Sequence, residues 1–303
     1  MTDVMRTRRS RLRGLPVVPF VLLFLVLIVP AVFANVLVAW HVIPSPVQGT
    51  LSDRLLPPAW VAPHTLEGLG TVPGGSTAHP LGTDMIGRDI LSRLVFGARV
   101  SLLVAGASIL LAAMLGSLLG VLAGYLGGWV EMIIMRLCDI MNSFHTILIA
   151  MVLAAVFGPS FATVITVIAL VSWTPFARIV RGETLSIRRR DFVDRARVAG
   201  SSSLSIMRRH VLPNILNTVV VLATLEVGQV ILLESTLSFL GVGVPRPNPS
   251  WGTMVADGRS LIIDSWWVSF FPGLTILLTV LSLNLVGDWV RERFDPKQRN
   301  VGL

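Results

Sequence analysis

Two carboxylates set inside an otherwise apolar run are the side chains best placed to do chemistry. Glu226 and Glu234 lie between Pro213 and about Leu240, with Gln229 between them. Eight residues apart, they stand about 80° from each other around a helix axis. A carboxylate at membrane depth is a candidate for lining the path of a cationic or polar solute. It can equally be a hydrogen-bonded packing residue, and the place of Glu234 near the end of the run favours that reading. Glu226, Gln229 and Glu234 are the candidate substrate-path residues. The remaining reactive types form no recognisable centre. The five histidines (His41, His64, His79, His145 and His210) have no metal-ligand spacing, and Cys138 is the single cysteine. Gly82-Thr83-Asp84-Met85-Ile86-Gly87-Arg88-Asp89 imitates a phosphate loop. It has Arg88 in place of the lysine, and Asp89 puts an anion where a hydroxyl should hold magnesium. No catalytic residue, metal site or nucleotide site is expected in this chain.

The elements that hold these residues follow from composition. Hydrophobic residues make up 53% of the 303 and charged residues 14%, against about 25% charged in a soluble domain. The net charge of +8 falls between apolar runs, so it reads as membrane topology rather than as a nucleic-acid footprint. Leu15 to Trp40 is uncharged and long enough to cross about 30 Å of hydrocarbon. Val32-Phe33-Ala34 offers a signal-cleavage alternative, but the run is too long for an h-region and an uncleaved anchor is favoured. Val100 to Tyr125 gives a second span. Ile140 to Ala177 would be about 57 Å as one helix, and Gly158-Pro159-Ser160 should fold it into a hairpin of two spans. Pro213 to Leu240 and Ser265 to Gly287 complete six. Placing the N-terminus inside puts 19 of the 25 basic residues on the cytoplasmic side and 6 outside, so both termini are expected inside. Outside, Pro44 to Gly75 reads as irregular and Asp89 to Arg99 as an interfacial amphipathic helix.

One inner segment has an internal order that topology does not require. Arg178 to Arg209 carries nine arginines, which suit anionic headgroups. Within it, Phe192, Val193, Ala196 and Val198 can form an apolar stripe on a first short helix. Gly200 permits a sharp turn, and Ser201-Ser202-Ser203 can cap a second helix bearing Leu204, Ile206 and Met207. Pro213 should then stop it. Two short helices at an angle make a rigid knob suited to gripping a soluble partner.

The spacing Asp194-Arg195-Ala196, Gly200, His210, Leu212-Pro213 resembles the EAA signature of ABC importer permeases. The stretch Phe192 to Asn214 is similar to the version in dipeptide, oligopeptide and nickel permeases. Three further blocks agree: His79 to Leu102, Glu234 to Arg259, and Asn284 to Pro296. The likeness covers roughly residues 15 to 299 and follows the C-type subunit of the permease pair. Asp194, Arg195 and His210 depart from the usual Glu, Ala and Ile, and Arg195 is bulky where the family is small.

The resemblance implies an all-α integral membrane protein with six transmembrane helices, the type I ABC importer permease fold, and cytoplasmic coupling helices at about 186–212. By it, the chain divides into a basic N-terminus (1–14), a first transmembrane helix (15–42), an extracytoplasmic segment (43–98), a five-helix core (99–288) and a cytoplasmic tail (289–303). It implies four kinds of partner: a second homologous permease, two ABC ATPase subunits that bind the ATP and magnesium, an extracytoplasmic substrate-binding protein, and membrane lipid. Asp194, Arg195, Ala196, Gly200, Ser201, Leu204, His210 and Pro213 become the ATPase-coupling residues. Asp84, Arg88, Asp89 and Trp251 become candidate binding-protein contacts, with scaffold roles as the alternative. The expected cargo is short peptides, with nickel or another small solute carried on the same scaffold as an alternative. An ion-gradient transporter is the reading from a different class, and it would call for paired intramembrane charges and repeats.

Overall fold

The computed structural model describes residues 17–66, 70–72 and 74–294, and within it the long apolar runs are helices. Helix α1 covers Val17–Ala39, with one π-helical segment at Phe24–Ile28. The segment after it is largely irregular, as expected, but includes an antiparallel hairpin, β1 (His64–Leu66) with β2 (Gly70–Val72). The basic N-terminus and the last residues of the tail lie outside the described residues.

Helix α2 runs Ile90–Leu126 without a break, about 55 Å at 1.5 Å per residue. The separate interfacial helix expected at Asp89 to Arg99 therefore does not exist. Asp89 caps α2, its carboxylate accepting from the backbone N–H of Ser92 at 2.7 Å. The first turns then run directly into the span because their buried side carries Ile90, Leu94 and Ala98.

The apolar stretch from Ile140 to Ala177 breaks at Gly158-Pro159-Ser160 as expected, but its first arm is not one straight span. Helix α3 (Gly128–Ser143) and helix α4 (Thr146–Phe157) meet at a 93° bend. Helix α5 (Phe161–Arg188) then continues eleven residues past Ala177. Counting the bent pair once, six segments among the described residues are long and apolar enough to cross a membrane.

Short helix α6 (Asp191–Val198) leads to α7, which runs Ser203–Phe239. Pro213 does not stop this helix. A π-helical segment at Met207–Val211 precedes it, in which the Leu212 N–H reaches the Met207 carbonyl. Widening the turn in this way accommodates a residue with no N–H and a ring that would crowd the preceding turn. Asn214 donates its side-chain amide to the His210 carbonyl at 2.6 Å. Helices α8 (Trp251–Gly258) and α9 (Trp267–Phe294) follow.

The closest packing is between α2 and α5. Gly116, Gly120 and Gly124 form one stripe against the α5 backbone. A Cβ at Gly120 would lie 2.7 Å from the Ala177 carbonyl, and one at Gly124 would lie 2.7 Å from Thr184 Cβ. Small residues at fourfold spacing are the usual way that membrane helices approach this closely.

Candidate functional site

At the Arg-rich end, α6 and the start of α7 form the expected knob. Gly200 has φ +80°. Its N–H donates to the Arg197 carbonyl at 3.0 Å, and the Ser201 N–H donates to the Ala196 carbonyl at 3.0 Å. This is a Schellman ending, and it requires a left-handed residue at that place. Ser202 then caps α7 by accepting from the Ser205 N–H at 3.3 Å. Beneath the turn, Val193, Ile206, Met207, Val211 and Ile215 pack with Val121 and Tyr125 of α2 and Val180 and Ile187 of α5. Phe192 lies against the His210 ring at 6.0 Å, and Ala196 is half-buried on the same cluster. The knob is thus fastened to two long helices.

Its outer side is not covered by this chain. Val198 is 90% exposed and Leu204 72%, so Val198 does not belong to the buried stripe expected of it. Arg195 also points outward, which is why its bulk meets no obstacle within the chain. Asp194 is exposed and pairs with Arg197 at 2.8 Å. Ser201 and Pro213 are exposed, and His210 is half-buried.

At the opposite end, the residues named as binding-protein contacts or scaffold lie inside the chain. Asp84, Asp89 and Trp251 are buried, and Arg88 is largely so. Their groups are satisfied inside the chain, so in this structure they form a scaffold and offer no contact surface. Asp84 accepts from the backbone N–H groups of Ile86 and Arg88, both at 3.0 Å, from Arg88 Nε at 2.7 Å, and from Arg93 Nη1. Asp89 faces His79 Nδ1 at 3.1 Å and takes the Ser92 hydroxyl at 2.7 Å. Asp257 of α8 gathers Arg93, Arg88 and the exposed Arg246. Trp251 donates Nε1 to the Leu94 carbonyl at 3.0 Å, and its ring fills the space left by Gly97. Trp267 ties in the same region by donating to the Thr83 carbonyl at 3.2 Å. In the loop that imitated a phosphate cradle, Asp84 turns onto the loop's own backbone and Asp89 caps α2.

The three intramembrane candidates separate. Gln229 is exposed and Glu226 is half-buried. Glu234 is fully buried, with Ser238 Oγ donating at 2.7 Å and Ser101 Oγ of α2 at 3.3 Å. It therefore lines no open path here and acts as a joint between helices. Sequence reasoning missed Arg93, Ser101, Ser238 and Asp257. For Arg93 a signal existed: it stands four residues before Gly97 and eight before Ser101, on the small-residue side of α2 rather than on a charged one.

A bundle of apolar helices with a rigid, partly uncovered knob at its basic end defines a multi-pass membrane protein built to work with a partner. Residues 116–300 match the family described as "Binding-protein-dependent transport system inner membrane component". The chain belongs to this family, the inner-membrane permease components of ABC importers. It is 40% identical to the di/tripeptide transport system permease protein DppC of Pseudomonas aeruginosa over 280 residues, 92% of this chain and 88% of that protein. It is 42% identical over 227 residues to the glutathione transport system permease protein GsiD of Pectobacterium atrosepticum, 75% of each chain. With GsiD of Escherichia coli the identity is 41% over 242 residues, 78% of this chain and 80% of the other. A permease component is a transport part rather than an enzyme, and the family works with ATPase and substrate-binding partners in the inner membrane.

Proposed function

We propose that this chain is the C-type permease subunit of an ATP-driven importer of short peptides. The observation that carries the reading is the knob: a Schellman turn fixed from below by a packed cluster, with Val198 and Leu204 left uncovered. Such a surface suits a cleft in a soluble ATPase, since apolar side chains held on a rigid base lose little freedom on docking. Di/tripeptides and glutathione, named for the relatives, share the chemistry of short peptides, and that is the substrate class we assign. The basic end faces the cytoplasm, with both termini inside.

In this reading the chain pairs with a second, homologous permease. Two ATPase subunits hold all the ATP and magnesium, and this chain has no nucleotide site of its own. A binding protein delivers the peptide from outside. Closure of the ATPase pair pulls on the knob, the permease pair turns from inward-facing to outward-facing, and hydrolysis resets it.

The test is mass spectrometry of what co-purifies with the tagged chain in mild detergent from its native cells. A second six-span permease and nucleotide-binding subunits are the expected companions. Recovery of a folded, monodisperse chain alone would overturn the proposed assembly with these partners.

A further inference from the structure

The group that the proposed mechanism leaves unused is Glu234, and its surroundings suggest a role. Helix α7 is continuous over 37 residues, from Ser203 beside the Gly200 turn to Phe239 at the far end. At 1.5 Å per residue it is a rod of about 55 Å. One end carries the knob, and the other carries Glu234, which is buried with no basic side chain paired to it among the described residues.

The carboxyl group is held by hydroxyls from two directions. Ser101 Oγ comes from α2, and Ser238 Oγ comes from one turn further along α7. Ser238 Oγ in turn accepts the Val244 N–H at 3.1 Å, so the cluster also grips the loop that follows α7. Gly243 lies directly against Ser238, and Gly252 of α8 lies directly against Ser235. One buried side chain thus joins the end of the rod to α2 and, through Ser238, to the outer loop.

We propose that Glu234 is a positioning residue for transport: it fastens the end of α7 to α2 and the 241–249 loop, so that movement of the knob is delivered to the outer mouth. Displacement of a helix end reaches its surroundings only through contacts that hold in both states. A hydrogen-bonded carboxyl offers directional contacts that apolar packing lacks. The inference rests on the importer reading given above.

The test uses the assembled transporter in proteoliposomes, with a cysteine placed at exposed Asn248 and labelled from outside by a membrane-impermeant maleimide. Cys138, the only native cysteine of this chain, is buried, and subunits are separated on a gel after labelling. Labelling is timed without nucleotide and after trapping with ATP and vanadate. Wild type should differ about fivefold or more between the two states. Glu234→Leu and Ser101→Ala should bring the ratio below about twofold while ATP hydrolysis persists, and Glu234→Gln, which keeps hydrogen-bonding capacity, should restore most of it. A purely structural role would instead lower thermal stability in detergent and leave the ratio intact. Ser101→Ala removes a single hydroxyl and keeps the test informative if Glu234→Leu does not fold.

A wild-type ratio retained by both variants, or absent from wild type, overturns the inference. Failure of the wild-type assembly to hydrolyse ATP would instead overturn the importer reading.

Discussion

Substitution of Gly200 tests the docking turn with little interference. A Cβ added there would meet nothing within 4 Å, so Gly200→Ala acts through the backbone alone. The residue sits at φ +80°, where an L-residue is disfavoured by about 1–2 kcal/mol. At about 1.4 kcal/mol per factor of ten, the fraction of chains holding the Schellman turn falls by at most about 5- to 30-fold. Asn tolerates the left-handed region and should cost less, while β-branched Val should cost more. Gly200→Trp has the same backbone penalty and adds a ring to the exposed tip. The assay is uptake of a radiolabelled dipeptide in cells lacking their own transporter, normalised to the amount of chain in the membrane fraction. Uptake should fall in the order Gly, Asn, Ala, Val, with Trp uncoupled, while insertion is unchanged. Wild-type uptake by both Gly200→Ala and Gly200→Trp would refute the assignment of this turn as the coupling element.

Glu226→Gln should lower uptake more than Glu234→Gln, because the amide preserves hydrogen bonding in the serine-lined site of Glu234 but removes the ionisable carboxyl of half-buried Glu226; equal wild-type rates in both would favour packing roles for both. Val198→Asp and Leu204→Asp should each reduce co-purification of the ATPase subunits without changing membrane insertion, since both side chains are uncovered in the single chain; unchanged recovery of the ATPases would place docking elsewhere. Asp84→Ala leaves the buried guanidinium of Arg93 without its main partner, a change that typically costs about 3–5 kcal/mol. It should lower the unfolding temperature in detergent well below that of an Arg246→Ala control, and equal temperatures would contradict the scaffold role.

The spans were legible because twenty apolar residues admit few structures at membrane depth. The Gly200 turn was legible because glycine between two helix-compatible stretches, followed by serines, states a local conformation. Pro213 misled for a physical reason: the rule that proline ends a helix assumes α geometry, and the π segment at Met207–Val211 relaxes that assumption. The outer residues misled differently. Asp89 to Arg99 read as an interfacial helix, yet Asp89 and Arg93 are buried, and Arg93 reaches Asp257, 164 positions away, as well as Asp84. Trp251, a candidate binding-protein contact by the resemblance, fills the space above Gly97. Long-range pairing of this kind leaves no periodicity in the sequence.

The two ends of the molecule use their polar groups in opposite ways, and this bears on where a partner is required. Around Asp84, Asp89 and Glu234 each carboxylate has its donors within the chain, and the helices it joins are already packed. A second protein would gain little there without first breaking those bonds, each of which is expensive to leave unmade once buried. Around Gly200 the arrangement is reversed. The apolar groups that hold the knob lie underneath it, and Val198, Leu204, Arg195 and Asp194 face away from the chain. Covering two large apolar side chains on a preformed base is favourable and needs little reorganisation. The basic end therefore offers free energy for association with a soluble partner, at the start of the helix that runs without a break to the Glu234 joint. A force applied at that turn acts on α7 itself.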